Sequence, residues 1–148
     1  MDSVDKDILI QLQQDARLSM TEIGRRVGLS QPAVAERVKR LEEQGVIEHY
    51  RTVIAGDKVG KAAVAFILFR TTQCLDFVEF CRNSAQVVEC HRISGEYNYL
   101  VKIVVESNSD IEQFENESMR YGSSTTLVSL SSPIGCKTLL PAETLIKL

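Results

Sequence analysis

Positive charge is not in excess in this chain. Its 148 residues carry 17 Lys and Arg against 20 Asp and Glu, a formal net charge of −3. That balance argues against a protein that coats nucleic acid non-specifically, which needs a broadly cationic surface. Long apolar runs are missing too. None reaches the roughly 18 residues needed to span a bilayer, and the opening MDSVDKDIL is too acidic and polar for a secretory signal. No membrane partner is expected, and the cytoplasm is the expected compartment. The four cysteines (Cys74, Cys81, Cys90, Cys136) have no C-x-x-C spacing, and His49 and His91 each stand alone. Zinc sites and disulfides are therefore not expected; the cysteines sit in apolar segments and read as buried free thiols. Also absent are a Ser-His-Asp set, H-E-x-x-H, a P-loop and G-x-G-x-x-G, so no catalytic, metal or cofactor residues are predicted. The 44% of hydrophobic residues still makes the chain globular, long enough for one domain or two small ones.

What is present is concentrated early. Asp5 can cap a helix running to Gln14, with Ile8, Leu9 and Leu12 as its apolar stripe. Ser19-Met20-Thr21-Glu22 fits a capping box, so a second helix should start near Met20. Gly28 can end it, and Ser30 can cap a third helix with Pro32 in its first turn. Val34, Val38 and Leu41 give that third helix a buried stripe at i, i+4 and i+7, and Gly45 closes it. Outside remain Gln31, Pro32, Ala35, Glu36, Arg37, Lys39 and Arg40. A strand-like run, Val46 to Ile54, follows. This order is a helix-turn-helix, a unit that lays its second helix in the major groove of double-stranded DNA. The stretch from Gly24 to Arg40 holds Arg25, Arg26, Arg37, Lys39 and Arg40 against the single acid Glu36, a local net of +4. Arg25, Arg26, Lys39 and Arg40 are expected to position the protein on phosphates, Gln31 to pair with adenine, and Arg37 to meet guanine or a phosphate.

A glycine-bounded polar segment, Ala55 to Gly60, reads as a hinge, and beyond it strands and helices alternate. Ala62 to Phe69 is eight apolar residues in a row, the pattern of a strand covered on both faces. Cys74, Phe77, Val78 and Cys81 fall on one helix face. Gln86 to Ile93 and Tyr97 to Val105 form a hairpin around Ser94-Gly95-Glu96. Ser109-x-x-Glu112 opens a helix with Ile111, Phe114 and Ser118 inward, and Ser124 to Ser132 makes the last strand. The result is βαββαβ, the ferredoxin-like arrangement. Its helices cover one face of the sheet, so the doubly apolar first strand predicts a second copy on the other: a homodimer. The tail (Ile134, Leu139, Leu140, Leu145, Ile146, Leu148) is expected to pack on that partner subunit.

Both halves together resemble the leucine-responsive/asparagine-regulator (Lrp/AsnC) family of bacterial and archaeal transcription regulators. The carrying stretches are Asp5-Lys6-Asp7-Ile8-Leu9, Asp15-Ala16-Arg17-Leu18-Ser19, the run from Ser30 to Glu42, and Gly45-Val46-Ile47. The resemblance implies an α+β chain: a winged-helix-like helix-turn-helix (1–45), a β-strand linker (46–60) and a βαββαβ dimerisation and effector domain (61–148). It also implies assembly of dimers into octamers and a small-molecule effector, typically an amino acid, bound near the turn after the second strand. On this chain that turn is Gly95, Glu96, Tyr97, Asn98, Tyr99 and Leu100, with Ser124 and Thr126 as second contributors. The family often has an aspartate where this chain has Asn98, which offers a carbonyl but no charge to a ligand's ammonium group.

Two alternative classes compete with this reading, a tetrapyrrole-processing enzyme on the same scaffold and a metabolite sensor. Siroheme decarboxylases look like this family and would need histidine or arginine around a tetrapyrrole, for which His91 and Arg92 are the obvious candidates; the outward basic helix argues against them. A metabolite sensor acting through protein partners would have no use for the first half.

Overall fold

The computed structural model describes residues 1–142. Three helices open the chain: α1 (Ser3–Gln14), α2 (Met20–Val27) and α3 (Gln31–Glu43). The cap of α1 is Asp2 rather than Asp5. Asp2 accepts from the Asp5 amide at 2.8 Å and Asp5 from the Asp2 amide at 3.1 Å, so a reciprocal capping box satisfies two open donors where a cap at Asp5 would satisfy one. Ser19 caps α2 through the Glu22 amide at 3.1 Å, but the Glu22 carboxylate turns away to Arg25 and Arg26 and leaves that box half closed. Gly28 then takes φ 74°, a left-handed conformation that costs most side chains about 1 kcal/mol or more. At the end of α3 the Val46 amide donates to Leu41 and the Gly45 amide to Glu42, each at 2.9 Å, the Schellman pairing that closes a helix. Ile8, Leu12, Ile23, Val34 and Val38 form the core beneath these three helices.

The expected linker strand is not formed. Residues 46–55 make no ladder, Val53 is 85% exposed, and a single 3-10 turn over Gly56–Val59 follows. A strand needs a neighbour for its amides and carbonyls, and among the described residues no segment pairs with this one.

The remaining elements are β1 (Ala63–Arg70), α4 (Cys74–Asn83), β2 (Val87–Arg92), β3 (Tyr99–Val105), α5 (Asn108–Ser118) and β4 (Ser123–Val128). The sheet order is β2-β3-β1-β4 with every pair antiparallel, which is the ferredoxin-like arrangement. α5 begins one residue after Ser107, two residues earlier than expected for the start signal, because Asp110 accepts from the Ser107 amide at 2.9 Å. Ala65, Ile67 and Phe69 of β1 and Tyr99, Val101, Ile103 and Val105 of β3 join Phe77, Cys81, Ile111 and Phe114 in one buried core. Phe69 stacks on Phe77 with ring centroids 4.0 Å apart. The alternate residues Val64, Phe66 and Leu68, with Leu100 and Val104 across the ladder, share the other face and are only half-buried.

The chain divides into two compact units, Val53–Pro133 and Met1–Thr52 joined by the segment from Ile134. In that segment Leu139 is tied to α1 twice: its amide donates to Gln13 Oε1 at 2.7 Å and its carbonyl accepts from Gln13 Nε2 at 3.0 Å. Ile134, Leu139 and Leu140 keep exposed side chains; Leu145, Ile146 and Leu148 lie outside the described residues. The cysteines are all free, but only Cys81 is buried. Cys74 is half-buried, while Cys90, on the edge strand β2 where no further strand flanks it, and Cys136 in the tail are exposed.

Candidate nucleic-acid interface and effector turn

The basic residues of the helix-turn-helix are organised by acids that the charge count hides. Arg37 Nη1 meets Asp2 Oδ2 and Asp5 Oδ1, both at 2.7 Å, and Arg40 Nη2 reaches Asp5 Oδ1 at 3.2 Å. The Asp5 side chain is 3% exposed and that of Arg37 26%. Burial pushes the Asp5 carboxyl up, but the Asp2 amide and the Arg37 guanidinium more than reverse this and hold it below the usual carboxylate value. Asp2 is lowered as well, by the Asp5 amide and then by Arg37. The two acids of the α1 cap thus clamp α1 to the middle of α3. Arg25 and Arg26 converge on Glu22 at 2.7 and 3.0 Å, and Arg26 also donates to Gln11 at 2.7 Å. Among the described residues Lys39 pairs with Glu43 alone, 3.6 Å away, and both are exposed.

Of the residues expected on DNA, Gln31, Pro32, Glu36, Lys39 and Arg40 are exposed on α3, Ala35 and Arg37 are half-buried, and Arg25 and Arg26 line α2. Ser30 holds the extended backbone of a cap, with no side-chain cap bond. Arg37 is the residue whose surroundings differ most from expectation, since its guanidinium is spent on α1. The signal was in the sequence: Asp2 and Asp5 are spaced i, i+3 at a helix start.

In the second unit, Gly95 (φ 120°) and Glu96 lie in the loop between β2 and β3. Asn98 is held on three sides. Its Oδ1 accepts from the Thr71 amide at 3.0 Å, its Nδ2 donates to the Thr71 carbonyl at 2.7 Å, and its own amide donates to Phe69 at 3.0 Å. The side-chain amide continues the ladder past the end of β1. An aspartate here would lack the donor that Thr71 uses. Beside it opens a hollow of about 570 Å³ lined by Arg70, Thr72, Gly95, Glu96, Asn98 and Arg120, among others. Gly122 sits at its edge, where an added Cβ would lie 2.1 Å from the Arg70 carbonyl oxygen.

Only Gly95, Glu96 and Asn98 of the expected effector residues line that hollow. Tyr97 bonds Thr125 at 2.8 Å, and Tyr99 is buried in the core with its ring 5.3 Å from Phe77. Ser124 and Thr126 pair with Phe69 and Ile67, which puts them on the helix side, where Thr126 bonds Glu115. Arg70 and Arg120, which no expectation named, also line the hollow; the first is legible as the polar stop to an apolar strand. A second hollow, of about 610 Å³, lies by α4 and α5 and is lined by Asp76, Glu79, Phe80 and Glu117; no expectation fell there. His91 and Arg92 are consecutive on β2 and oppose Leu100 and Tyr99, residues of opposite sheet faces, so they do not converge on one pocket.

Residues 1–48 match the family model described as winged helix-turn-helix DNA-binding, and residues 63–138 match the Lrp/AsnC ligand binding domain. The chain is 46% identical over 132 residues to YezC, an uncharacterized HTH-type transcriptional regulator of Bacillus subtilis, covering 89% of this chain and 95% of that one. The chain belongs to the Lrp/AsnC family. The fold agrees: LrpC of B. subtilis superposes with a TM-score of 0.88 at 31% identity, over 92% of this chain and 99% of that one. A transcriptional regulator of Neisseria meningitidis in complex with L-Met gives 0.89 at 24% identity, over 94% and 96%. As a member of the Lrp/AsnC family the chain is a transcriptional regulator with a DNA-binding helix-turn-helix and a ligand-binding-type α+β domain.

Proposed function

We propose that this regulator binds DNA sequence-specifically as a homodimer or a tetramer of dimers, and that a small molecule held near Gly95 modulates it. The observation that carries the first part is α3. Its buried row Val34, Val38 and Leu41 leaves Pro32, Glu36 and Lys39 outward, the presentation with which a recognition helix enters the major groove. Arg25, Arg26, Ser30 and Arg40 flank that surface and suit phosphate contacts. Residues 1–45 act as the DNA-binding domain, 46–60 as the connection, and 61–148 as the dimerisation and effector domain. The half-buried apolar face of the sheet supports the dimer.

For the effector, an amino acid or another small carboxylate fits the hollow beside Asn98. Arg70 and Arg120 provide positive charge there, and Glu96 is the acid among its lining residues. The Neisseria relative holding L-Met supports this class. The test is a fluorescence-anisotropy titration onto a fragment from upstream of the gene, with random DNA as control, at two salt concentrations. A preference for the upstream fragment that survives the higher salt supports base readout, because phosphate attraction alone falls steeply with salt. Equal, salt-sensitive binding to both would leave a DNA-compacting role. Amino acids added to the same cell test the effector through a change in affinity.

A further inference from the structure

On α3, at about 100° per residue, Pro32, Glu36 and Lys39 form a row directly opposite the buried Val34, Val38 and Leu41. Glu36 is the centre of that row. It is exposed, and among the described residues it has no ion pair and no hydrogen bond, while its neighbours are engaged: Arg37 and Arg40 by Asp5, Lys39 by Glu43. A free carboxylate in the middle of a surface meant for a polyanion is repelled by phosphates, unless it accepts a hydrogen bond from a base. The major groove offers two amino donors, N4 of cytosine and N6 of adenine. Adenine places its N7 acceptor next to N6, which opposes the second carboxylate oxygen. Cytosine has no acceptor beside N4.

We infer that Glu36 is a specificity-determining residue that reads a cytosine at one fixed position of each half-site. This rests on α3 being the recognition helix. Arg37, the residue whose type most suggests base reading, is held by α1, so base choice in the centre of the helix falls to the acid. Lys39, one turn on, supplies the neighbouring phosphate contact that offsets the local negative charge.

The experiment measures the full-length protein and its Glu36→Gln and Glu36→Ala variants by competition anisotropy, against a bound operator with every position of one half-site replaced by each base. Glu36 is exposed and unpaired, so both variants should fold, which circular dichroism checks. The wild type should prefer cytosine at one position by about fivefold to a hundredfold. Glu36→Ala should lose that preference alone, and Glu36→Gln should move it towards adenine, with which a glutamine side chain forms two bonds. If Glu36→Ala instead binds every sequence more tightly and keeps the base preferences of the wild type, the carboxylate is only a source of repulsion and the inference fails. A wild type without preference at any position would overturn the sequence-specific function itself, a separate outcome seen before any variant is made.

Discussion

Arg37 and Asp5 illustrate how a residue's type suggests one task and its surroundings another. An arginine on the polar side of a recognition helix reads as a base contact, but this one spans two carboxylates from α1. Arg37→Ala should therefore lower the melting temperature and weaken binding to operator and random DNA by similar factors, because it loosens the seat of α3. A loss confined to the operator, with the melting temperature unchanged, would return Arg37 to base reading. Asp5→Asn should destabilise the protein by about 2 kcal/mol at pH 7, the scale of hydrogen bonds to charged groups. The sign with pH follows from the lowered native value of Asp5. Its contribution is complete above the unfolded value, near 3.9, and disappears as pH falls through the native one. Denaturant titrations should thus find wild type and Asp5→Asn well separated at neutral pH and converging in acid; a constant gap down to pH 2 would refute the ion-pair origin.

At the scale of elements, what could be read from the chain was whatever repeats or caps locally. The stripe Val34, Val38, Leu41, the face Phe77 and Cys81, and the βαββαβ order all rest on periodicity, and they stand as expected. Helix starts were displaced by two or three residues wherever two candidate caps lay close together, as with Asp2 and Asp5 or Ser107 and Ser109. The linker strand is a different case, since residues 46–55 take up no ladder within the single chain. Val46 to Ile54 has strand-like composition, but a strand depends on a partner ladder that local composition cannot supply. The effector side was least legible. Tyr99, Ser124 and Thr126 fall inward through the register of β3 and β4, which is a tertiary fact. Gly122 was passed over because its role is also non-local: β4 begins against the end of β1, with no room for a side chain. Gly122→Ala should force the two strands apart there and cost about 1–3 kcal/mol, the range for overpacking a close contact, measured as a drop in the denaturant midpoint. An unchanged midpoint would mean that the Arg70 carbonyl moves aside freely.

At the scale of the whole molecule, the sheet presents a problem that one chain does not solve. The helices take the face of Ala65, Ile67 and Phe69, and the opposite face keeps Val64, Phe66, Leu68, Leu100 and Val104 only half-buried, with Lys102 bonded to Glu89 at 2.9 Å as a polar pair among them. In the proposed homodimer a second copy of the same face, related by a twofold axis, would cover both at once. Dimerisation would also bring two copies of α3 under one symmetry, which suits half-sites about one helical turn, roughly 34 Å, apart. Leu68 lies on this face across from Leu100 and away from the buried core. Leu68→Asp should accordingly give a folded monomer by sedimentation, with native-like circular dichroism. Its affinity for a two-half-site operator should fall towards that of a single half-site, because the second contact no longer follows from the first. A variant that remained dimeric would place the interface elsewhere. One that became monomeric yet bound the full operator as tightly as the wild type would show that a single helix-turn-helix suffices for recognition.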